Sequence, residues 1–261
     1  MNLIAIDIGN SNINVGLFLK DKQESVECVP GSNANKLAGL LKALWEKVPV
    51  SRRSKEGKRD GRIIVSSVRP AWTEVVRKTV GDKLDEKILL IPKDVPYPVD
   101  ISVKEPQKVG SDRILSSAAA YAVVEKAVVV ADFGSAVTID LVDDRGVFCG
   151  GVIFPGFDMS AEALEEKTAQ LPKVKIKKPK CPFGRNTTEA IQAGLYYSAI
   201  GTLEVVVRLY AEKIGTWPQT VLTGAGAEVI KDDCEFVDSY VPNLVVKGIA
   251  LAYRKFLEAK Q

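Results

Sequence analysis

Two stretches of this sequence, about half a chain apart, repeat one pattern: IAIDIGNSNINVGLF at 4–18 and VVVADFGSAVTIDLV at 128–142. Each has an apolar strand, then Asp, an apolar residue, Gly, small polar residues and a second strand. Asp7 corresponds to Asp132, and Gly9 to Gly134. A repeat spaced this widely is no short-period solenoid. It predicts two similar lobes related by duplication.

The rest of the chain alternates in the same spirit. Apolar runs at 2–7, 13–19, 62–67, 87–91, 127–131, 137–142, 147–154 and 219–223 read as strands. Apolar spacings of three and four predict helices over 34–47, 72–84, 111–125, 158–170, 188–213 and 242–258. The helix at 188 has Asn186 and Thr187 as candidate caps and Glu189 in its first turn. Mixed strands and helices of this kind indicate an α/β fold. Residues 50–61, VSRRSKEGKRDG, read as a charged, mobile loop. The lysine-rich 173–184 reads as a solvated loop, since prolines interrupt it and no aromatic platform accompanies it.

Histidine is absent, which removes Ser-His-Asp and Cys-His catalysis and histidine-based zinc sites. Acid–base work falls to carboxylates, Lys, Tyr or Cys. A net charge of +3 on 261 residues is too small to argue for nucleic acid or an anionic membrane. No apolar run reaches spanning length, the N-terminus has no leader pattern, and the four cysteines form no C-x-x-C pair. These features place the chain in the cytoplasm.

The repeated hairpin suits phosphate. Its glycine turn lets backbone N–H groups approach a ligand, and Asn10, Ser11 and Asn12 add short polar groups. An Asp at the strand end can hold Mg²⁺, directly or through water. One such hairpin alone is more readily an ordinary turn; its repetition favours two phosphate grips. GGVIFPG (150–156) and LTGAG (222–226) place further glycines, Gly224 among them, where a nucleotide could be approached closely. No Walker A sequence is present, and TGAGAEV is a weak dinucleotide fingerprint. In VGSDR, Gly110 and Ser111 open a predicted helix with Asp112 and Arg113 in its first turn. An acid there is favoured by the helix dipole, whereas the arginine is not. As a functional pair, Asp112 can accept a hydroxyl proton and Arg113 can bind a carboxylate.

Taken in order, DIGNSN, VGSDR, DFGSAVTID, GGVIFPG, GRNTTEAIQAG, LTGAGA and VPNLVVKGIALA resemble the motifs of the type III pantothenate kinases, within the superfamily of acetate and sugar kinases, heat-shock ATPases and actin. The resemblance covers nearly the whole chain. It implies two ribonuclease-H-like lobes, 1–118 and 119–261, with a nucleotide cleft between them. It implies ATP-dependent phosphorylation of pantothenate. Asp7, Gly9, Asn10, Ser11 and Asn12 would bind phosphates, with Mg²⁺ at Asp7; Ser135 and Gly224 would contact ATP. Asp112 would be the general base, with Gly110, Ser111 and Arg113 on the substrate. Asp132 would hold a monovalent cation, K⁺ or NH₄⁺. Thr187 would reach pantothenate from the partner of a homodimer whose interface includes 187–213. The sequence departs from the family at Ser135, where a Thr is usual, at Ala225, where a second glycine is usual, and at Val103, where a Tyr is common. Val103 keeps open a kinase for another small hydroxy acid, or a non-catalytic relative.

Overall fold

The structure is a computed structural model that describes residues 1–51 and 57–260. The chain forms two compact units. The first comprises Met1–Asp100, Glu105–Ala119 and Asn243–Gln261; the second comprises Ile101–Lys104 and Ala120–Pro242. The division expected from sequence put all of 119–261 in the second lobe. The last helix instead packs with the first unit, because its apolar residues fill one face of the first sheet.

The first unit is a five-stranded sheet in the order β3-β2-β1-β4-β5, with β1 Leu3–Ile8, β2 Asn12–Leu19, β3 Lys22–Pro30, β4 Arg62–Ser67 and β5 Ile88–Leu90. β1 is antiparallel to β2 and parallel to β4. Every residue of β1 is buried, so both faces must be covered, and strand alternation divides them. Ile4, Ile6 and Ile8 meet α1 (Ala34–Lys47) and α2 (Pro70–Leu84) through Leu37, Leu41, Val76 and Val80. Leu3 and Ala5, on the opposite face, meet Leu115 of α3 (Ser111–Val124) and Val245, Val246 and Ile249 of α6 (Leu244–Glu258). Each buried Val, Leu or Ile among these contributes about 1.5–3 kcal/mol. Asp7 is on this second face, and that places the site.

The second unit repeats the plan. Its sheet has the order β11-β10-β7-β8-β9-β6, with β6 Asp100–Ile101, β7 Val128–Phe133, β8 Ala136–Val142, β9 Val147–Pro155, β10 Gln219–Thr223 and β11 Ser239–Tyr240. Strands β9-β8-β7-β10-β11 match β3-β2-β1-β4-β5 in order and in direction of pairing. Val129, Ala131 and Phe133 pack against Tyr196, Ala199, Leu203 and Val207 of α5 (Thr187–Ile214). α4 (Phe157–Lys167) completes the unit and ends three residues before the expected 170.

By length and composition α5 could cross a membrane, although no run of that kind was expected from the sequence. Its buried face is part of the second unit's core. In the lysine-rich loop, Val174 and Ile176 are buried while Lys173, Lys175 and Lys177 are exposed, so the stretch is solvated on one side only. Of the loop expected to be mobile, 50–61, residues 52–56 lie outside the described residues; Val50 and Arg59 on either side form an isolated antiparallel bridge.

Candidate active site

Strand pairing positions the candidate residues of the first unit. Asp7 is 6% exposed, next to the last residue of β1. Its register partner on β2, Asn14, donates Nδ2 to Asp7 Oδ2 at 3.1 Å. Its register partner on β4 is Ser66, whose Oγ lies 2.7 Å from Ser111 Oγ in a buried hydrogen bond. Ser111 opens α3, and Asp112 follows it. One ladder position and one hydroxyl pair thus tie Asp7 to Asp112. The Ser111 hydroxyl, expected on the substrate, is a buried brace between α3 and β4.

The turn after β1 is closed by protein donors. Gly9 N–H donates to Asn12 O at 3.0 Å, and Gly31 N–H to Ser11 O at 3.1 Å. Asn10, Ser11 and Asn12 are exposed.

Burial lifts the Asp112 carboxyl above the usual carboxylate range. The Arg113 N–H, bonded to Asp112 Oδ1 at 2.8 Å, and the Arg113 charge oppose this without cancelling it. A carboxylate so shifted suits proton acceptance. Gly110 makes the position possible: Asp112 Oδ1 occupies the space a Cβ on Gly110 would need, with Val68 Cγ1 3.8 Å from that same point. Gly110 therefore shapes the position of the Asp112 carboxylate directly. The half-buried Tyr97 phenol is pushed up by burial and, secondarily, by the Asp112 charge. Its closeness to Asp112 was not foreseen from the sequence.

In the second unit the corresponding hairpin is one residue tighter. Ile8 pairs with Ile13 across the first turn, whereas Phe133 pairs with Val137 across the second. Gly134 N–H donates to Ala136 O at 3.2 Å, echoing Gly9. Thr138 stands opposite Asp132 on β8 and Thr223 on β10, where the first unit has Asn14 and Ser66 opposite Asp7.

The glycines expected to admit a nucleotide are used largely by the protein. Gly224, at φ 86°, has Asp132 Oδ1 and the Phe133 backbone in its Cβ space. Gly226 meets Phe133 O, and Gly156 meets the Gly134 and Ser135 carbonyls while donating its N–H to Ser135 O at 3.1 Å. Gly151 leaves room for Asp140, its register partner, a carboxylate only 1% exposed that sequence reasoning passed over. Both loops thus clasp the second hairpin.

Asn186 alone caps α5, accepting from Glu189 N–H at 2.9 Å, while Glu189 Oε2 accepts from Arg185 N–H at 2.8 Å. Thr187 is the exposed first residue of the helix. The first unit therefore gathers Asp7, Gly9 to Asn12 and Gly110 to Arg113; Asp132, Ser135, Gly224 and Thr187 belong to the second. Among the described residues, no three acidic, Cys or His side chains cluster as a metal site. A magnesium ion here would rest on a single carboxylate together with phosphate and water oxygens, which suits that ion.

Two units with this strand order make the duplicated architecture of the actin-like ATPases. Solved structures agree on the fold. A Baf family protein from Campylobacter jejuni is 18% identical with a TM-score of 0.60, over 98% of this chain and 99% of that one. MreB 5 of Spiroplasma citri, solved with AMPPNP, is 10% identical with a TM-score of 0.50, over 100% of this chain and 99% of that one. Within that class the sequence is more specific. The family model for type III pantothenate kinase matches residues 3–209. Type III pantothenate kinases of Brevibacillus brevis and Agathobacter rectalis are each 34% identical, over 97% of this chain and 98% and 97% of theirs. The chain belongs to the type III pantothenate kinase family.

Proposed function

We propose that this protein transfers the γ-phosphoryl group of ATP to the hydroxyl of pantothenate, giving 4'-phosphopantothenate and ADP, the first step towards coenzyme A. The observation that carries the reading is the line Asp7–Ser66–Ser111–Asp112, which holds the turn after β1 and the half-buried Asp112 carboxylate together within one unit. Phosphoryl transfer asks mainly for positioning and charge neutralisation. Asp112 accepts the hydroxyl proton as the substrate oxygen bonds to the γ-phosphorus and the bond to ADP breaks. Gly110 holds the Asp112 carboxylate in place and Arg113 takes the substrate carboxylate. The turn from Gly9 to Asn12 binds phosphate oxygens, and Ser135 and the Gly224 loop would contact ATP. Mg²⁺ at Asp7 would screen the phosphates, and K⁺ or NH₄⁺ at Asp132 would add a further counter-charge. The reaction is placed in the cytoplasm, where all four cysteines would remain the free thiols seen here.

The acting form is a homodimer. On α5, Tyr197, Val205 and Leu209 are large apolar residues left exposed, and with Gly201 they form a stripe at four-residue spacing. Beyond their chain neighbours and the helix's own backbone, no described atom lies within 4 Å of where a Cβ on Gly194 or Gly201 would be. Ala193 and Ala199, expected at the interface, are buried in their own unit's core. Thr187 would reach the partner's pantothenate from the start of this helix.

The test is coupled ADP release with Mg²⁺ and K⁺, with pantothenate, with other small hydroxy acids, and with neither. Release that depends on pantothenate supports the reading. Release with a different hydroxy acid alone would reassign the substrate, an outcome that Val103 makes worth including. Loss of ATP affinity when a bulky organic cation replaces K⁺ would support the cation at Asp132, and unchanged kinetics would argue against it.

A further inference from the structure

The side chain of Arg69 has no part in the motifs above, yet it reaches the phosphate turn. It follows Val68, whose N–H donates to Ile8 O at 3.0 Å and whose Cγ1 faces Gly110. Its own backbone is fixed on both sides: its N–H donates to Ser67 Oγ at 3.0 Å, and Thr73 Oγ1 donates to Arg69 O at 3.2 Å. The guanidinium lies over the Trp72 ring, 4.2 Å from its centroid, and Nη1 donates to Asn10 O at 2.6 Å. Trp72 in turn fills the space above Gly31, the residue whose N–H holds Ser11 O. Three successive carbonyls, of Asn10, Ser11 and Asn12, are therefore each bound by a donor: Arg69, Gly31 and Gly9.

We propose that Arg69 is a positioning residue for phosphoryl transfer: held over the Trp72 ring, it pins Asn10 O and so fixes the 9–12 turn in the shape that receives the ATP polyphosphate. This deepens the assignment of that turn to ATP and rests on it. An unliganded carbonyl would be free to rotate towards the phosphates, where its partial negative charge repels them. Arg69 removes that alternative and leaves a fixed positive charge beside the turn. Its planar fork and its stacking on the indole are not reproduced by lysine.

The test uses full-length Arg69→Met, Arg69→Lys and Trp72→Leu, with Ser11→Ala and Asn12→Ala alongside. ATP binding is measured by calorimetry, KM for each substrate is measured separately, and folding is checked by melting. Arg69→Met is expected to weaken ATP binding by about tenfold, the loss of one charge-assisted hydrogen bond, with KM for pantothenate unchanged. Arg69→Lys should recover part of this loss, and Trp72→Leu should lie between the parent and Arg69→Met. If Arg69→Met binds ATP within twofold of the parent while Ser11→Ala or Asn12→Ala weakens it, the role of Arg69 is overturned and the turn's assignment stands. If none of these variants changes ATP binding, both fall.

Discussion

At Asp112 the fold holds a carboxylate where burial disfavours its charge. Its folded pKa lies above the unfolded value, so between the two the native state binds more protons than the unfolded chain. Stability therefore falls as pH rises through that window and stays lower above it. Asn is neutral and can still accept the Arg113 N–H. Asp112→Asn is thus expected to lose ~10²–10⁴ in turnover yet melt no lower than the parent at neutral pH. A clearly lower melting temperature would contradict the cost assigned to burial. Turnover needs the ionised form, so the acid limb of the pH–rate profile should sit above the ordinary carboxylate value, and a limb at or below that value would contradict the shift. Asp7, Asp112 and Asp132 were legible in the sequence because each stands in a short local motif. Ser66, Tyr97 and Asp140 were not. Ser66 hides at the end of an apolar run, Tyr97 comes within the electrostatic reach of Asp112 only through the fold, and Asp140 reads as one polar residue in a strand.

Among the elements, the best-read were those with a clear apolar period. The 188 helix begins one residue before its expected start, at a real asparagine cap. β3 was missed because it has a single fully buried residue, Val29, and offers no apolar alternation to read. β6 and β11, of two residues each, carry no period at all. The placing of α6 could not be read from its own pattern, which gives an apolar face but not the sheet that face meets. Gly248 marks the meeting point: a Cβ there would lie 2.6 Å from the Leu115 carbonyl carbon and 2.9 Å from Leu115 Cβ. Ala at this position would add up to about 1 kcal/mol of helix propensity, but overpacking against backbone costs typically ~1–3 kcal/mol. Gly248→Ala should therefore lower stability in urea unfolding, and Gly248→Val more so; a stabilised Ala variant would show that α6 does not press on α3. On α5 the matching prediction is Val205→Glu, which adds charge to the exposed stripe without entering the core. It should shift sedimentation towards monomer with loss of activity. A parent that sediments as a fully active monomer would end the dimer proposal.

For the whole molecule, the duplication seen in two hairpins extends to five strands a unit, including the hydroxyl residue opposite each strand-end Asp, Ser66 in one and Thr223 in the other. The two units differ locally: the first adds α3 with Asp112 in its first turn, and the second tightens its turn by one residue and clasps it with glycine loops. The hairpins and the order of motifs were legible because duplication preserves local patterns. The return of the last helix to the first unit, and the use of Gly151, Gly156 and Gly224 by the second hairpin, depend on contacts distant in sequence. The residues proposed here serve one reaction at one hydroxyl. Phosphorus NMR of the enzyme with ATP, Mg²⁺, K⁺ and pantothenate reads that reaction itself. One new phosphomonoester is expected, on the pantothenate hydroxyl, for each ADP formed, and none with Asp112→Asn. ATP consumed without that product, or the same product at an undiminished rate from the Asn variant, would contradict this expectation.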